Sequence, residues 1–144
     1  MKKVLSVLVM LLFAVCLFGC GGGESSSKTI KLGSSGPLSG SASIYGQAVK
    51  KGIELAIEEI NATGGIDGKQ IEYIPVDNKS DNAEAATAAI RLAEQEKVVA
   101  MIAPATSGNT VATVQVAEQY KVPIVTASGT AETVTVNEKG EVNE

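Results

Sequence analysis

Apolar residues run along this chain in three rhythms. Val4 to Phe18 is an almost unbroken apolar stretch behind Lys2 and Lys3. At about 15 residues it falls short of the ~20 that a bilayer-spanning helix needs and matches the core of an export signal. After a polar Gly/Ser segment the rhythm changes to short strand-like runs separated by helical stripes. Thr29 to Gly33 alternates, and Gly36-Pro37-Leu38-Ser39-Gly40 reads as a loop. Val49, Ile53, Ala56, Ile57 and Ile60 then recur on one face of a helix predicted from about Ser43 to Asn61. Gly64-Gly65 stops it, and Asp67-Gly68 turns the chain into a second strand, about Gln70 to Val76. Pro75 near its end suggests a sheet edge.

Asp81 with Glu84 three residues on resembles a helix-capping pair, followed by the stripe Ala86, Ala89, Ile90 and Ala93 and a helix to about Gln95. Val98 to Ala103 is continuously apolar, as in a central parallel strand covered on both faces. A loop from Pro104 to Asn109, a third helix from Thr110 to Tyr120 and a fourth strand from Val122 to Thr126 complete the alternation. The expected fold is therefore α/β: an open parallel sheet with helices on both faces and right-handed crossovers. Beyond Thr126 the chain is polar and turn-rich, with no helix expected to cover the fourth strand. The chain reads as stopping inside its fold, a truncated gene or a fragment.

Composition narrows the chemistry. Of 144 residues, 44% are apolar and 19% charged, which is globular and too apolar for a disordered chain. There is no His, which removes Ser-His-Asp and Cys-His catalysis and the commonest metal ligand. The net charge of −4, without a basic run, argues against nucleic acid as a partner. No cofactor is expected. The turn Gly33-Ser34-Ser35-Gly36 fails the dinucleotide-binding pattern. Gly64 to Gln70 fails the P-loop pattern in spacing and in having Gln70 where a Ser or Thr would hold magnesium. Glu54 and Glu58 follow Lys50 and Lys51 by one turn and read as a solvated, ion-paired helix face. Asp77, Asn78 and Asp81 offer too few carboxylates for calcium and read as loop and cap residues.

The apolar N-terminal stretch ends Leu17-Phe18-Gly19-Cys20. This resembles the bacterial lipobox, with an aliphatic residue at −3, a small one at −1 and Cys at +1. It implies cleavage before Cys20 and a diacylglyceryl group on the Cys20 sulfur. Cys16 would leave with the signal, so no disulfide could form. Two acyl chains make a durable anchor. The expected organisation is a signal peptide over 1–19, a lipid-anchored flexible tether over 20–28, and a ligand-binding segment over 29–144. The location would be extracytoplasmic, with the membrane touched through the lipid alone.

Hydroxyls collect where strands are expected to end. Ser34, Ser35, Ser39, Ser41, Ser43 and Tyr45 follow the first strand. Thr106, Ser107, Asn109 and Thr110 follow the third, and Thr126, Ser128 and Thr130 the fourth. Ligands of open parallel sheets bind outside the carboxyl ends of the strands, at the switch point. With strand order 2-1-3-4 that point lies between the first and third strands. Ser107, placed just before a helix, adds free backbone N–H groups that favour an anion. The chemistry on offer is neutral hydrogen bonding to a small anionic or zwitterionic ligand.

From Ile30 to about Asn143 the chain resembles the branched-chain amino acid (Leu/Ile/Val-type) solute-binding proteins of ABC importers, type I periplasmic binding proteins. Ile60-Asn61-Ala62-Thr63-Gly64-Gly65-Ile66-Asp67-Gly68-Lys69 carries most of the likeness. Gly36-Pro37-Leu38-Ser39-Gly40 with Tyr45-Gly46, and Val122-Pro123-Ile124-Val125-Thr126 with Ser128-Gly129-Thr130-Ala131, support it. The resemblance implies two lobes with ligand between them, this chain being most of the first lobe. It implies that Ser107 holds the ligand's α-carboxylate and that Ser128 and Thr130 hold carboxylate and ammonium. Tyr45 would lie near the side-chain pocket. The Ser-rich turn common in the family is here Thr106-Ser107-Gly108-Asn109, and second-lobe pocket residues would lie beyond Glu144. The implied function is a monomeric, non-catalytic receptor that delivers an amino acid to ABC permease and ATPase subunits. The same fold could instead bind urea, a short amide or an aromatic acid. A flavodoxin-like enzyme or response domain is the remote alternative.

If Cys20 is the lipid site, Cys20→Ala leaves an unprocessed precursor and abolishes fatty-acid labelling, read by metabolic labelling and gel mobility. Normal labelling of the variant overturns the assignment.

Overall fold

In a computed structural model, residues 29–136 and 139–142 are described. The predicted signal, Cys20 and the tether lie outside these residues. Four parallel strands pair in the order β2-β1-β3-β4: β1 Thr29–Gly36, β2 Gln70–Asp77, β3 Ala100–Ile102 and β4 Ile124–Val125. The first helix, α1, spans Ser43–Ala62. The second, α2, spans Asn82–Ile90 and closes in a π-turn over Arg91–Gln95. The third, α3, spans Ser107–Tyr120. A 3-10 turn, Glu132–Val134, follows β4, and Val136 bridges Val142. Among the described residues no helix is long and apolar enough to cross a membrane.

The two faces of the sheet follow from strand alternation. Ile53 and Ile57 of α1 pack on Ile71, with Leu32, Val49, Tyr73 and Ile102 alongside. Ala89, Leu92, Val98, Met101 and Val116 form the other core, with Ile74, Val76 and Ile124. So α1 covers one face while α2 and α3 cover the other. The predicted α1 stripe narrows: Ile60 is 37% exposed and only Ile53 and Ile57 of the set are buried. In α2 the buried face is Ala85, Ala88, Ala89 and Leu92, rotated from the predicted stripe, and Ile90 is exposed. An alanine-rich helix has little apolar asymmetry in sequence. Its small residues let α3 approach closely, and that contact chooses the face.

The turns form as their residues dictate. Gly64 and Gly65 end α1 at φ 105° and 79°. Asp67 and Gly68 turn at positive φ, closed by reciprocal Ile66–Lys69 backbone bonds of 2.9 Å. The Asn61 side chain then splints helix to strand, donating to the Ile71 carbonyl and accepting the Ile71 amide. Asp81 caps α2 through the Glu84 amide at 2.9 Å, as its spacing predicts.

Strand β1 corrects the sequence reading. It continues to Gly36, so Ser34 and Ser35 lie inside the strand and are 7% and 1% exposed. Their hydroxyls are served locally: Ser34 shares a 2.6 Å hydrogen bond with the Tyr73 hydroxyl, and Asn78 Nδ2 donates to Ser35 Oγ. A run of small, polar residues resembles a turn in sequence, yet the pairing of β1 on both sides makes it strand. Helix α3 begins at Ser107 rather than Thr110, β3 and β4 are shorter than their apolar runs, and Val134 is buried against α3.

Two glycines of α1 make opposite predictions. A Cβ at Gly46 would run into the carbonyl of Pro37, whereas one at Gly52 meets nothing. Gly46→Ala is expected to destabilise by about 1–3 kcal/mol through overpacking. Gly52→Ala should stabilise by about 0.5–1 kcal/mol through helix propensity. Urea unfolding of both variants checks the pair.

Candidate functional site

The carboxyl ends of β1, β3 and β4 lie along one edge of the sheet, because all four strands are parallel. The chain leaves β1 for one face and β3 for the other, so the switch point falls between them. A crevice there, bordered by Ser34, Ser35, Leu38, Gly46 and Ala105, holds about 10 Å³. That is the scale of one water, so a larger ligand at the switch point would sit above the crevice rather than in it. A second cavity of about 520 Å³ lies away from the switch point, between α3, β4 and the Glu132–Val134 turn. Val114, Ala117, Val122 and Ile124 make it mainly apolar.

The loops after β3 and β4 are sewn together by two of the predicted site residues. Ser107, half-buried at the start of α3, accepts the backbone N–H groups of Thr130 at 3.2 Å and Ala131 at 3.3 Å. Ser128 Oγ donates to the Ala105 carbonyl at 2.9 Å. Gly129 N donates to Thr126 Oγ1 at 2.8 Å. A hydroxyl that accepts two amides retains its own proton to donate, so Ser107 is an oriented donor. No side chain caps α3, so first-turn amides stand beside it. Ser128 keeps only acceptor capacity, which suits an ammonium. Thr130 is exposed.

Other hydroxyls of the predicted clusters face inward. Thr110 is fully buried, its Oγ1 donating to the carbonyls of Pro104 and Thr106. Thr106 donates to Asn109 Oδ1 at 2.6 Å, and Asn109 Nδ2 donates to Asn82 Oδ1 at 2.8 Å, tying the starts of α2 and α3 together. The structure thus brings Ser107, Ser128 and Thr130 together, whereas Tyr45 lies not in the loop after β1 but in the first turn of α1, 66% exposed.

The residue that sequence reasoning passed over as a simple loop residue is Asp77. Its Oδ1 accepts the amides of Leu38 at 2.9 Å, Ser39 at 3.1 Å and Lys79 at 2.8 Å, and its Oδ2 accepts Ser39 Oγ at 2.5 Å. Desolvation pushes its carboxyl up, but these four hydrogen bonds outweigh it and hold Asp77 below the usual carboxylate range. The residues around Asp77 give no sign of this role, because pairing across nearly forty residues is invisible in one dimension. Burial pushes the Tyr73 hydroxyl up, against the pull of its Ser34 bond, so it stays neutral. Among the described residues no three of His, Cys, Asp and Glu gather as a metal set. The arrangement can orient a small polar molecule by hydrogen bonds.

A depressed carboxylate stabilises the fold above its unfolded pKa, and that stabilisation is lost as pH falls through the folded value. The stability difference between wild type and Asp77→Asn should therefore be constant above about pH 5 and shrink below about pH 4. Thermal melts across this range read it. A difference that does not change with pH overturns the assignment.

Residues 29–141 match the family described as periplasmic binding protein. A Leu/Ile/Val-binding protein homolog 7 of Brucella abortus is 37% identical over 114 residues, covering 79% of this chain and 28% of that protein. A leucine-, isoleucine-, valine-, threonine-, and alanine-binding protein of Pseudomonas aeruginosa is 30% identical over 135 residues, covering 94% of this chain and 36% of its own. Among solved structures, the branched-chain amino acid transporter substrate binding protein LivJ from Streptococcus pneumoniae, in complex with isoleucine, superposes with a TM-score of 0.73 and 50% identity. It covers 74% of this chain and 31% of that one. The leucine binding protein LivK from Thermotoga maritima gives 0.70 and 35%, covering 77% and 31%. The chain thus spans less than two fifths of the length of these relatives. With its parallel sheet in the order β2-β1-β3-β4 and a match over 29–141, the chain belongs to the periplasmic binding protein family.

Proposed function

We propose that this chain is the first-lobe part of an extracytoplasmic receptor that binds a branched-chain amino acid and delivers it to an ABC importer. The observation that carries the reading is the brace at Ser107. Two backbone amides of the β4 loop fix its hydroxyl at the uncapped start of α3. A fixed O–H beside free amides complements a carboxylate. Ser128 and Thr130 lie on the bracing loop, where an α-ammonium next to that carboxylate would reach them. Tyr45 offers an exposed aromatic face to an aliphatic side chain. Relatives named for binding leucine, isoleucine and valine support the choice of ligand.

In this reading the site binds and releases without covalent chemistry. Neither a nucleophile–base pair nor a raised carboxyl stands among the oriented groups, and ATP hydrolysis belongs to a partner subunit. The receptor works as a monomer held by lipid on Cys20, with residues 1–19 as its signal and 20–28 as its tether. Closure of a second lobe over the ligand would mark the loaded state for the permease.

Calorimetry on the complete receptor tests the site. Ser107→Ala and Thr130→Ala should each weaken leucine binding by about 1.5–3 kcal/mol, the value of a hydrogen bond to a charged group. Glu58→Ala, on the exposed face of α1, should change nothing. Unchanged affinity in a folded double variant overturns the placement, and preference for urea or an aromatic acid over leucine overturns the ligand.

A further inference from the structure

We infer that Asp77 is a positioning residue for the ligand site: its carboxylate holds the loop after β1 so that Tyr45 is presented at the carboxyl edge of the sheet. This rests on reading that edge as the amino-acid site. An Asp after a strand commonly does no more than bond its own turn, here through the Lys79 amide. Its other three bonds reach Leu38 and Ser39, which are 39 and 38 residues away along the chain. Asp77 therefore belongs functionally to the β1–α1 loop, although it sits on β2.

The surrounding turn is shaped for this grip. Lys79 and Ser80 both take left-handed backbone angles, φ 53° and 63°, which L-residues adopt only when their surroundings demand it. Asn78 is fully buried and locks them: its Oδ1 accepts the Ser80 amide, its Nδ2 donates to Ser35 Oγ, and its own amide donates to the Gly36 carbonyl. Ser80, so placed, donates to the Ser39 carbonyl and accepts the Ala42 amide, both at 3.0 Å. Gly40, at φ 81°, lies where a Cβ would collide with the Lys79 carbonyl. The two loops are moulded to each other over their whole contact.

The mould matters because α1 starts without a side-chain cap of its own. Ala42 precedes the helix, and the amides of Tyr45 and Gly46 bond back to its carbonyl. Ser80 thus anchors the start of α1 from outside through the Ala42 amide, and Asp77 holds the Leu38–Ser39 segment that leads to it. The Tyr45 ring is 66% exposed, so the backbone beneath it sets where it points.

The test uses the complete receptor, with hydrogen exchange of segment 37–45 and leucine titration. Asp77→Ala should speed exchange in that segment by about tenfold while leaving β3 unchanged. It should weaken leucine binding by about tenfold, the loss expected when a wall of the pocket is no longer held. In a Tyr45→Ala background the further loss should shrink to about twofold or less, because both changes act through one side chain. A merely structural role would instead add in full. Should Asp77→Ala fail to fold, Ser39→Ala removes one bond of the grip and should move both readouts the same way by less. Unchanged exchange, unchanged affinity or full additivity overturns the role of Asp77 alone. A folded wild-type receptor that binds no amino acid overturns the amino-acid reading and this role together.

Discussion

The fold depends on β1 being paired on both sides at once. It meets β2 over its full length, from Thr29 opposite Gln70 to Gly36 opposite Asp77, and meets β3 through Leu32, Gly33 and Ser34. A strand in that position must satisfy its backbone on both edges and accept cover on both faces. On one face a Cβ at Gly33 would press against Leu92 and Val98. Toward its end Pro37 is fully buried, with its carbonyl against Gly46 of α1. The lack of a side chain at Gly33 and at Gly46 is therefore a packing requirement, and it lets helices from both faces close over the strand's carboxyl end.

That closure decides which hydroxyls are open to a ligand. Ser34, Ser35 and Thr110 are drawn into the interior and satisfied there by Tyr73, Asn78 and the carbonyls of Pro104 and Thr106. Among the described residues no buried side-chain polar atom lacks a partner. Such satisfaction offsets the desolvation cost of placing polar residues in a core. The hydroxyls left at the edge have a different task. Ser107 and Ser128 join the loops after β3 and β4, fixing geometry that isolated loops would lose to entropy. Asp77 does the same for the loop after β1, using a carboxylate because a single side chain must accept four donors. At Asp77, charge enters this edge as structure.

Sequence alone determined the elements whose signals are local. The Gly64-Gly65 stop, the Asp67-Gly68 turn and the Asp81 cap all rest on contacts within a few residues, so their residue types suffice. The alternation of strand and helix determined a parallel sheet, and the hydroxyls after the strands placed Ser107, Ser128 and Thr130 on one edge. Tertiary structure decided the rest. Whether Ser34 and Ser35 turn or extend depends on strands that pair from residues 70 and 100 onward. The buried face of the alanine-rich α2 depends on α3. Asp77 reaches loop atoms nearly forty residues earlier, and Ser107 is oriented by amides more than twenty residues later. A sequence names the groups that can hydrogen-bond, but their partners are chosen by which chain segments the packed sheet brings within hydrogen-bond reach.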